Sequence, residues 1–449
     1  MRKSIVLLFI IPSVLGMSQT NPAITQWLLN NSVLGSHYVQ GNSTAIADNV
    51  LANVQLVQYS NQWVYVSTNG IPAYTTGPFL DGNPSQATDQ NAIFKFTLNP
   101  AQNTGNATPT TGGNIGVFVN GVALFDYRDG VSWNNNTQAE GGGPIQGPPG
   151  QGVWNRDAIV AERAGFDCAK GHPAMGNYHH HQNPSAFDLD LVPISSVCNL
   201  YDADGLYVIN PNQHSPLIGF AYDGFPIYGA YGFLNADGTG GVVRMKSSFQ
   251  LRDITVRTHY ADGTDVTDGP AVSTTYPLGH YREDYEFVAH PGVPDYLDEH
   301  NGRFCVTPEY PNGIYAYFCT VDENWNSAYP YVVGPTFYGV KSASKVTTIA
   351  ETVSTYNPSV GMNEQKEEGE MTVKFDAALD LLAIQYKGML KENMEVCLWD
   401  TKGALIAKKW MPAGSTILYF DAATLVNGQY IVAASKNVST KASKVMVLH

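Results

Sequence analysis

The chain has 449 residues, enough for two or three domains, and 43% of them are hydrophobic, which suffices for packed cores. Its 25 basic and 39 acidic residues give a net charge of −14, which disfavours a nucleic-acid partner because neutralising phosphates needs clustered Lys and Arg. Only 14% of the residues are charged, and the abundant Gly, Pro and Tyr favour strands and turns over long helices, so we expect a mainly β protein.

The first eighteen residues, 1–18, have the pattern of a secretory signal peptide. Arg2 and Lys3 precede an apolar run over 5–15, and small residues follow it at the expected cleavage point. The run is too short to span a membrane, and no other segment has about 18 uninterrupted apolar residues. The sequence therefore predicts an exported chain without a transmembrane segment in its mature form.

Histidines are concentrated in the central part of a predicted large domain, 19–340. The Tyr-His-His-His run at 178–181 follows a Gly-Asn turn and is typical of a short strand, whose side chains alternate between two faces. His179 and His181 then share one face. Two imidazoles so placed can bind one divalent ion, so the sequence predicts a transition-metal site for copper or zinc. The candidates that would complete its ligand shell are His172, His214 and Asp223.

A later loop collects several oxygen-bearing side chains. It could bind calcium, although it lacks the regular EF-hand spacing, and the alternative is a solvated acidic turn. The residues concerned are Asp295, Asp298, Glu299 and Asn301.

The five cysteines suit an exported protein. Cys305 and Cys319 flank a Pro-Asn-Gly turn signal, and a symmetric hairpin there would place them opposite each other, close enough for a disulfide. By elimination Cys168 would pair with Cys198, although four cysteines allow three connectivities. Alternatively, Cys168 is a metal thiolate. Cys397 lies on a predicted strand and is expected to be a buried free thiol.

The end of the chain changes character. Residues 341–370 are rich in Ser, Thr and Glu and are predicted to form a linker. Seven short alternating runs follow within 371–449 and are separated by Gly, Asp and Asn turns, which predicts a small immunoglobulin-like sandwich of seven strands. The predicted strands are 371–375, 379–386, 394–399, 405–411, 416–420, 429–434 and 444–448.

The central motifs resemble those of the YHYH protein family, named for a Tyr-His-Tyr-His pattern. The resemblance covers roughly 50–340, with His180 standing where the namesake pattern has its second Tyr. The name-giving histidines would be His179 and His181, and the resemblance implies a domain without naming a reaction. The segments that carry it are 116–122, 168–172, 178–181, 198, 214–216, 223–229, 283–287, 297–299, 301–304, 307–309, 313–318 and 329–331.

The tail, 371–449, resembles the C-terminal sorting domain of the type IX secretion system of Bacteroidetes. The matching segments are 379–381, 398–403, 425–432 and 444–447, while the family's Tyr-Pro-Asn-Pro start is absent. The resemblance implies a surface address and the type IX secretion machinery as a partner. A carbohydrate-binding or structural sandwich is the alternative.

Two classes of function remain open. The first is a secreted or cell-surface metal-binding protein, which would be an enzyme if one coordination position were free. The second is a surface adhesion or glycan-binding protein in which Tyr and Trp form the binding face and the histidines are structural. The motifs for serine hydrolysis, nucleotide binding and zinc proteolysis are absent from the sequence, which disfavours those chemistries.

Overall fold

The computed structural model describes residues 21–81, 85–143, 147–186, 198, 201, 205–357, 371–376, 380–386, 390, 393–400, 404–436, 439–447 and 449. The predicted signal peptide, 1–18, lies outside these ranges. The chain divides into two compact units, Met1–Gly361 and Met362–His449. The structure has 42% strand and 4% helix, which confirms the predicted mainly β class.

The first unit consists mostly of short strands. Its two α-helices in the described ranges are α1 (Pro22–Thr25) and α2 (Ala158–Ala161), and within those ranges no helix is long and apolar enough to cross a membrane. Single 3-10 turns occur at Arg163–Gly165 and Arg282–Asp284. The strands are β1 (Leu34–Val39), β2 (Asn42–Leu51), β3 (Val54–Tyr59), β4 (Trp63–Thr68), β5 (Ala92–Thr97), β6 (Thr108–Pro109), β7 (Asn114–Phe118), β8 (Ala123–Phe125), β9 (Arg128–Asn134), β10 (Ala139–Gly142), β11 (Asn155–Asp157), β12 (Gly171–Ala174), β13 (Asn177–His180), β14 (Leu217–Ala221), β15 (Pro226–Tyr228), β16 (Tyr231–Phe233), β17 (Val242–Arg244), β18 (Phe249–Leu251), β19 (Tyr285–Phe287), β20 (Gly302–Cys305), β21 (Ile314–Phe318), β22 (Thr336–Phe337), β23 (Ser344–Val346) and β24 (Ser354–Thr355).

An eight-stranded sheet forms the centre of this unit, in the order β12-β13-β8-β7-β14-β15-β21-β20. The pairs β13–β8 and β15–β21 are parallel, and the other neighbours are antiparallel. Every residue of β14 is buried, as expected for a strand covered on both faces. A five-stranded sheet, β23-β5-β4-β3-β24, shares the same hydrophobic core, in which Phe96 and Phe220 have ring centroids 6.4 Å apart.

Part of the predicted linker belongs to this five-stranded sheet. Ser344, Lys345 and Val346 in β23 pair with β5, and β24 pairs with β3. The structure therefore continues the first unit past residue 340. Hydrogen bonds to existing strands order these Ser- and Thr-containing segments, although they supply few apolar side chains of their own.

A tight hairpin joins β12 to β13. Met175 and Gly176 have φ of 49° and 85°, which fits the two positive φ values of a type I′ turn. The turn sets the register, in which His172 lies directly opposite His179. Glycine is required at position 171, beside His172, because a Cβ there would lie 2.4 Å from the Tyr178 ring.

One of the two predicted disulfides is present in the structure, and the other is not. Cys168 and Cys198 form a disulfide with Cα atoms 5.3 Å apart, so Cys168 is not a metal thiolate. Cys305 and Cys319 are free and buried, and the predicted disulfide between them is wrong. The reason is the register: Cys305 pairs with Ile314, because the loop between β20 and β21 is not centred on the Pro-Asn-Gly turn. Cys397 is also free, but it is half-buried.

The second unit contains seven strands in its described residues. They form two antiparallel sheets, one of three strands and one of four, whose buried faces contribute to one core. Alternation is clear in the second of these strands, where Leu382, Ile384 and Tyr386 are buried. The strands are β25 (Met371–Asp376), β26 (Leu381–Tyr386), β27 (Met394–Asp400), β28 (Leu405–Met411), β29 (Ile417–Asp421), β30 (Gly428–Lys436) and β31 (Ser439–Val447).

Candidate metal site

Three buried histidines bring their ligand nitrogens close together. His181 Nε2 lies 3.3 Å from His172 Nε2 and 3.1 Å from His179 Nε2. The ligand atoms of the three residues all lie within 4.8 Å of one another. Two ligands of a tetrahedral ion with bonds of about 2.0–2.1 Å are about 3.3–3.4 Å apart, and the two separations from His181 are close to this value.

The fold supplies this convergence. His172 and His179 face each other across the β12–β13 hairpin, and His181 lies two residues further along the same side. β13 also pairs with β8, which places Phe125 against His179 with ring centroids 3.9 Å apart and nearly parallel planes. The hairpin register and one neighbouring strand therefore determine where the rings lie.

Backbone carbonyls fix the orientation of two of the rings. His179 Nδ1 lies 2.9 Å from the Asn177 carbonyl oxygen, and His181 Nδ1 lies 2.7 Å from that of Asp126. Because a carbonyl only accepts hydrogen bonds, each Nδ1 carries a proton, so a neutral ring held in this way has its lone pair on Nε2. Such outer hydrogen bonds are usual for metal-binding histidines. When both rings are neutral, their Nε2 atoms cannot hydrogen-bond to each other, but both can bind one cation.

A carboxylate lies beside the histidines. Glu162 Oε2 lies 3.3 Å from both His172 Nε2 and His181 Nε2. This Oε2 atom is buried, although the Glu162 side chain as a whole is 21% exposed, and the atom has no hydrogen-bond partner with acceptable geometry. A buried carboxylate oxygen without a hydrogen bond is costly unless another charge compensates it. Its position therefore fits a fourth ligand of the same cation.

Burial and mutual charge set the protonation of these groups. Burial lowers the pKa of His179 well below its usual value, with His181 and His172 as smaller causes. Burial would also lower the pKa of His181, but contact with Glu162 outweighs it and raises that pKa. Burial would raise the pKa of Glu162, but the two imidazoles beside it lower it. The group thus holds a neutral imidazole and an anionic carboxylate, the forms that bind metal ions.

The opposite face of β13 has a different character. His180 Nε2 lies 2.7 Å from the Tyr74 hydroxyl, and its Nδ1 lies 2.9 Å from the Lys170 carbonyl oxygen. Burial lowers the pKa of His180 to about 3. Next to it, the Tyr178 hydroxyl donates to Asp167, at 2.9 Å from Oδ2. His180 is therefore a core residue with both nitrogens in contact with polar partners.

His214 and Asp223 do not belong to the histidine group, which corrects the predicted shell. They flank β14, three strands from β13 in the sheet, or roughly 14 Å at about 4.8 Å per strand. His214 packs on Phe233, with ring centroids 4.8 Å apart. Asp223 is buried and accepts hydrogen bonds from the Tyr317 hydroxyl at 2.6 Å and the Gly339 amide at 2.8 Å. Burial raises the pKa of Asp223 to about 6.

The oxygen-rich loop does not form a shared shell in the structure. Asp298 is used internally, because its Oδ1 accepts from the Gly302 amide and the Tyr315 hydroxyl. Asp295 pairs with Lys246 at 2.7 Å. Glu299 is exposed, whereas Asn301 is buried and donates to the carbonyls of Phe318 and Val332. The four side chains therefore contact separate partners, and the calcium site stays a prediction of the sequence. These contacts tie the loop to neighbouring strands.

Glu162 is the residue that sequence reasoning missed. It follows α2, whose N-terminus is capped by Asp157 through a hydrogen bond to the Ile159 amide. An Asp before a short apolar run is a helix-start signal, so a turn ending at Glu162 was within reach of the sequence. Nothing local, however, indicates that the turn ends beside a hairpin that begins nine residues later.

Comparison with known proteins gives one positive result. The family model described as YHYH protein matches residues 93–330, more than half of the chain, and this span includes the three histidines and Glu162. None of the curated proteins compared with the chain matches it.

Proposed function

The chain belongs to the YHYH protein family, and on that premise we propose that it binds one divalent transition metal through His172, His179, His181 and Glu162. The observation that carries this proposal is the close approach of three buried imidazoles, whose ligand nitrogens lie within 4.8 Å of one another. Protein cores satisfy their buried polar atoms internally, and a cation between these nitrogen atoms would satisfy all of them together.

The spacing of the donor atoms favours zinc over copper. Three imidazoles and one carboxylate suit either divalent ion, and no thiolate is among them to favour Cu(I). The Nε2 separations of 3.1 and 3.3 Å lie nearer the edge of a tetrahedron than the about 2.8 Å between neighbouring corners of a square plane. Tetrahedral coordination is the preference of zinc.

Four protein ligands would make a closed, structural shell, and we propose no reaction for it. A metal bound in this way would cross-link the elements that carry its ligands. A metal with a free coordination position would also polarise water or a carbonyl group. His172 and His179 come from one hairpin, and Glu162 comes from the turn after α2. The ligands therefore join two separate elements of the first unit.

The metal content of the purified protein tests this proposal. The protein is produced without a histidine tag, exchanged into metal-free buffer and measured by mass spectrometry of the elements, beside the double variant His179→Ala, His181→Ala. The matched control is His290→Ala, because His290 is stacked on Tyr296 with ring centroids 3.8 Å apart and lies outside the group.

We expect roughly one zinc ion per chain in the native protein and in the control, and less than about a tenth of that in the double variant. Circular dichroism shows whether each variant remains folded. A native protein that is folded and metal-free, and that does not take up added zinc or copper, contradicts the proposal and supports the alternative in which the histidines are structural.

We further propose that residues 1–18 direct export and that 371–449 act as a type IX sorting domain, with the secretion machinery as partner. The seven-stranded second unit and the Cys168–Cys198 disulfide support this, since disulfides persist in oxidising compartments. The test compares the full chain with a chain ending at residue 361, both expressed in a host with this secretion system. We expect the full chain on the cell surface and the shortened chain retained in the periplasm; equal surface exposure of both contradicts the proposal.

A further inference from the structure

A second site is formed by aromatic side chains in the first unit. A cavity of about 390 Å³ is lined by several rings, and this volume falls in the range of small-molecule sites. None of its lining residues belongs to the histidine group. The rings are those of Phe249, Tyr260, Tyr285, Phe287 and Tyr329.

The two-stranded sheet of β18 and β19 positions three of these rings. Phe249 lies directly opposite Phe287, and Tyr285 lies two residues before Phe287, so all three project from one face. The rings of Phe249 and Phe287 are 5.6 Å apart at 60°, and Phe249 meets Tyr329 at 5.4 Å and 78°. The rings therefore stand at steep angles to one another and form walls.

The charges around these walls are predominantly negative. Asp262 and Glu299 line the cavity, and both are exposed. Arg282 also lines it, but its charge is offset by Glu283, with Nε and Oε1 2.7 Å apart. The Oε1 atom of Glu299 lies 3.9 Å from Nε2 of His300. The two exposed carboxylates thus give the cavity a net negative potential.

We propose that this cavity binds an organic cation, an alkylammonium or quaternary ammonium group. Aromatic faces attract such cations through the ring quadrupole, and nearby carboxylates add a favourable long-range field. A sugar fits this geometry less well, because a sugar typically stacks on the exposed flat face of an aromatic ring. The one parallel pair here, Tyr285 and Tyr329, lies face to face at 4.1 Å, and each ring covers one face of the other.

Calorimetric titration of the full-length protein with choline tests the proposal. Its uncharged counterpart of the same shape, 3,3-dimethyl-1-butanol, and glucose are titrated in parallel. The variants are Phe287→Leu, which removes a ring that is 38% exposed, and Glu299→Gln, which removes one charge. Matched controls outside the cavity are Phe304→Leu, at a ring that is 62% exposed, and Glu323→Gln, at an exposed carboxylate.

We expect choline to bind at least about tenfold more tightly than the alcohol, and Phe287→Leu to weaken its binding by roughly 2- to 30-fold. Glu299→Gln weakens it by a smaller factor that shrinks in high salt, and the controls leave it unchanged. Equal binding of choline and the alcohol, preferential binding of glucose, or no saturation with choline overturns the proposal. Metal content is measured in the same samples, so failure here is distinguishable from failure of the metal site.

Discussion

The two faces of β13 carry the same residue type and use it in opposite ways. On one face, both nitrogens of His180 contact polar groups, the Tyr74 hydroxyl and the Lys170 carbonyl. On the other, His179 and His181 use only Nδ1 for carbonyl contacts, and their Nε2 atoms face each other at 3.1 Å. The histidines on both faces are buried, so burial does not distinguish a candidate ligand from a core residue. The distinguishing feature is the number of ring nitrogens that already contact protein groups.

The converging face is unfavourable for a protein without a cation. Neutral imidazoles held with their lone pairs together gain nothing from each other and are withdrawn from water. The hairpin register and the Nδ1 contacts keep the rings from turning away. The face that is costly without an ion is therefore the one that would gain most from binding one.

The largest expected effect comes from metal removal. With free zinc at 1,000 times its dissociation constant, the free energy of unfolding of the first unit should exceed the value in chelator by about 4 kcal/mol. In the double variant His179→Ala, His181→Ala the same comparison should differ by less than about 1 kcal/mol. Chemical denaturation followed by fluorescence measures both. A large zinc effect that survives in the double variant would place the ion elsewhere.

His180→Ala should separate the two faces. The change leaves the Tyr74 hydroxyl and the Lys170 carbonyl without this partner and opens a cavity, so we expect a loss of about 2–4 kcal/mol in the free energy of unfolding. Metal content should stay at that of the native protein. Denaturation in chelator gives the first quantity and elemental analysis the second. If His180→Ala abolished metal binding in folded protein, the distinction between the faces would fail.

Glu162→Gln sharpens the description of the converging face. The change keeps the shape of the side chain but removes the charge whose Oε2 lies 3.3 Å from two imidazoles. We expect zinc affinity to fall roughly 10- to 100-fold, while the three histidines still bind the ion. Competition with a chromophoric chelator measures this. Glu323→Gln, at an exposed carboxylate elsewhere, is the control. Unchanged affinity would show that Glu162 is only a neighbour of the ion.

Alternation along the chain was enough to predict the strands of the second unit. All seven of its observed strands overlap the predicted ones, and 405–411 agrees in both bounds with Leu405–Met411. The same rule placed His179 and His181 together and His180 on the other side. Such features depend on neighbours in the sequence, where side chains two apart share a face. They could therefore be predicted from the sequence.

Features that depend on distant segments could not be predicted in this way. The Cys305–Cys319 pairing failed because the hairpin register was inferred from one turn signal. His214 and Asp223 were grouped with the histidines through shared motifs, but sheet order places β14 three strands away from β13. Glu162 reaches the site only through the packing of α2. Sheet order and helix placement are properties of the whole fold, and local pattern carries little information about them.

The smallest expected effect concerns the ring that supports His179. Phe125→Leu removes a stacked ring whose centroid lies 3.9 Å from that of His179 but retains an apolar side chain. The Nδ1 contact with Asn177 and the pairing across from His172 still hold the imidazole. We therefore expect a loss of about 0.5–1.5 kcal/mol in the free energy of unfolding and less than about a tenfold loss of zinc affinity. A more than tenfold loss of zinc affinity in folded protein would show that ring stacking orients His179 and that the carbonyl contact does not.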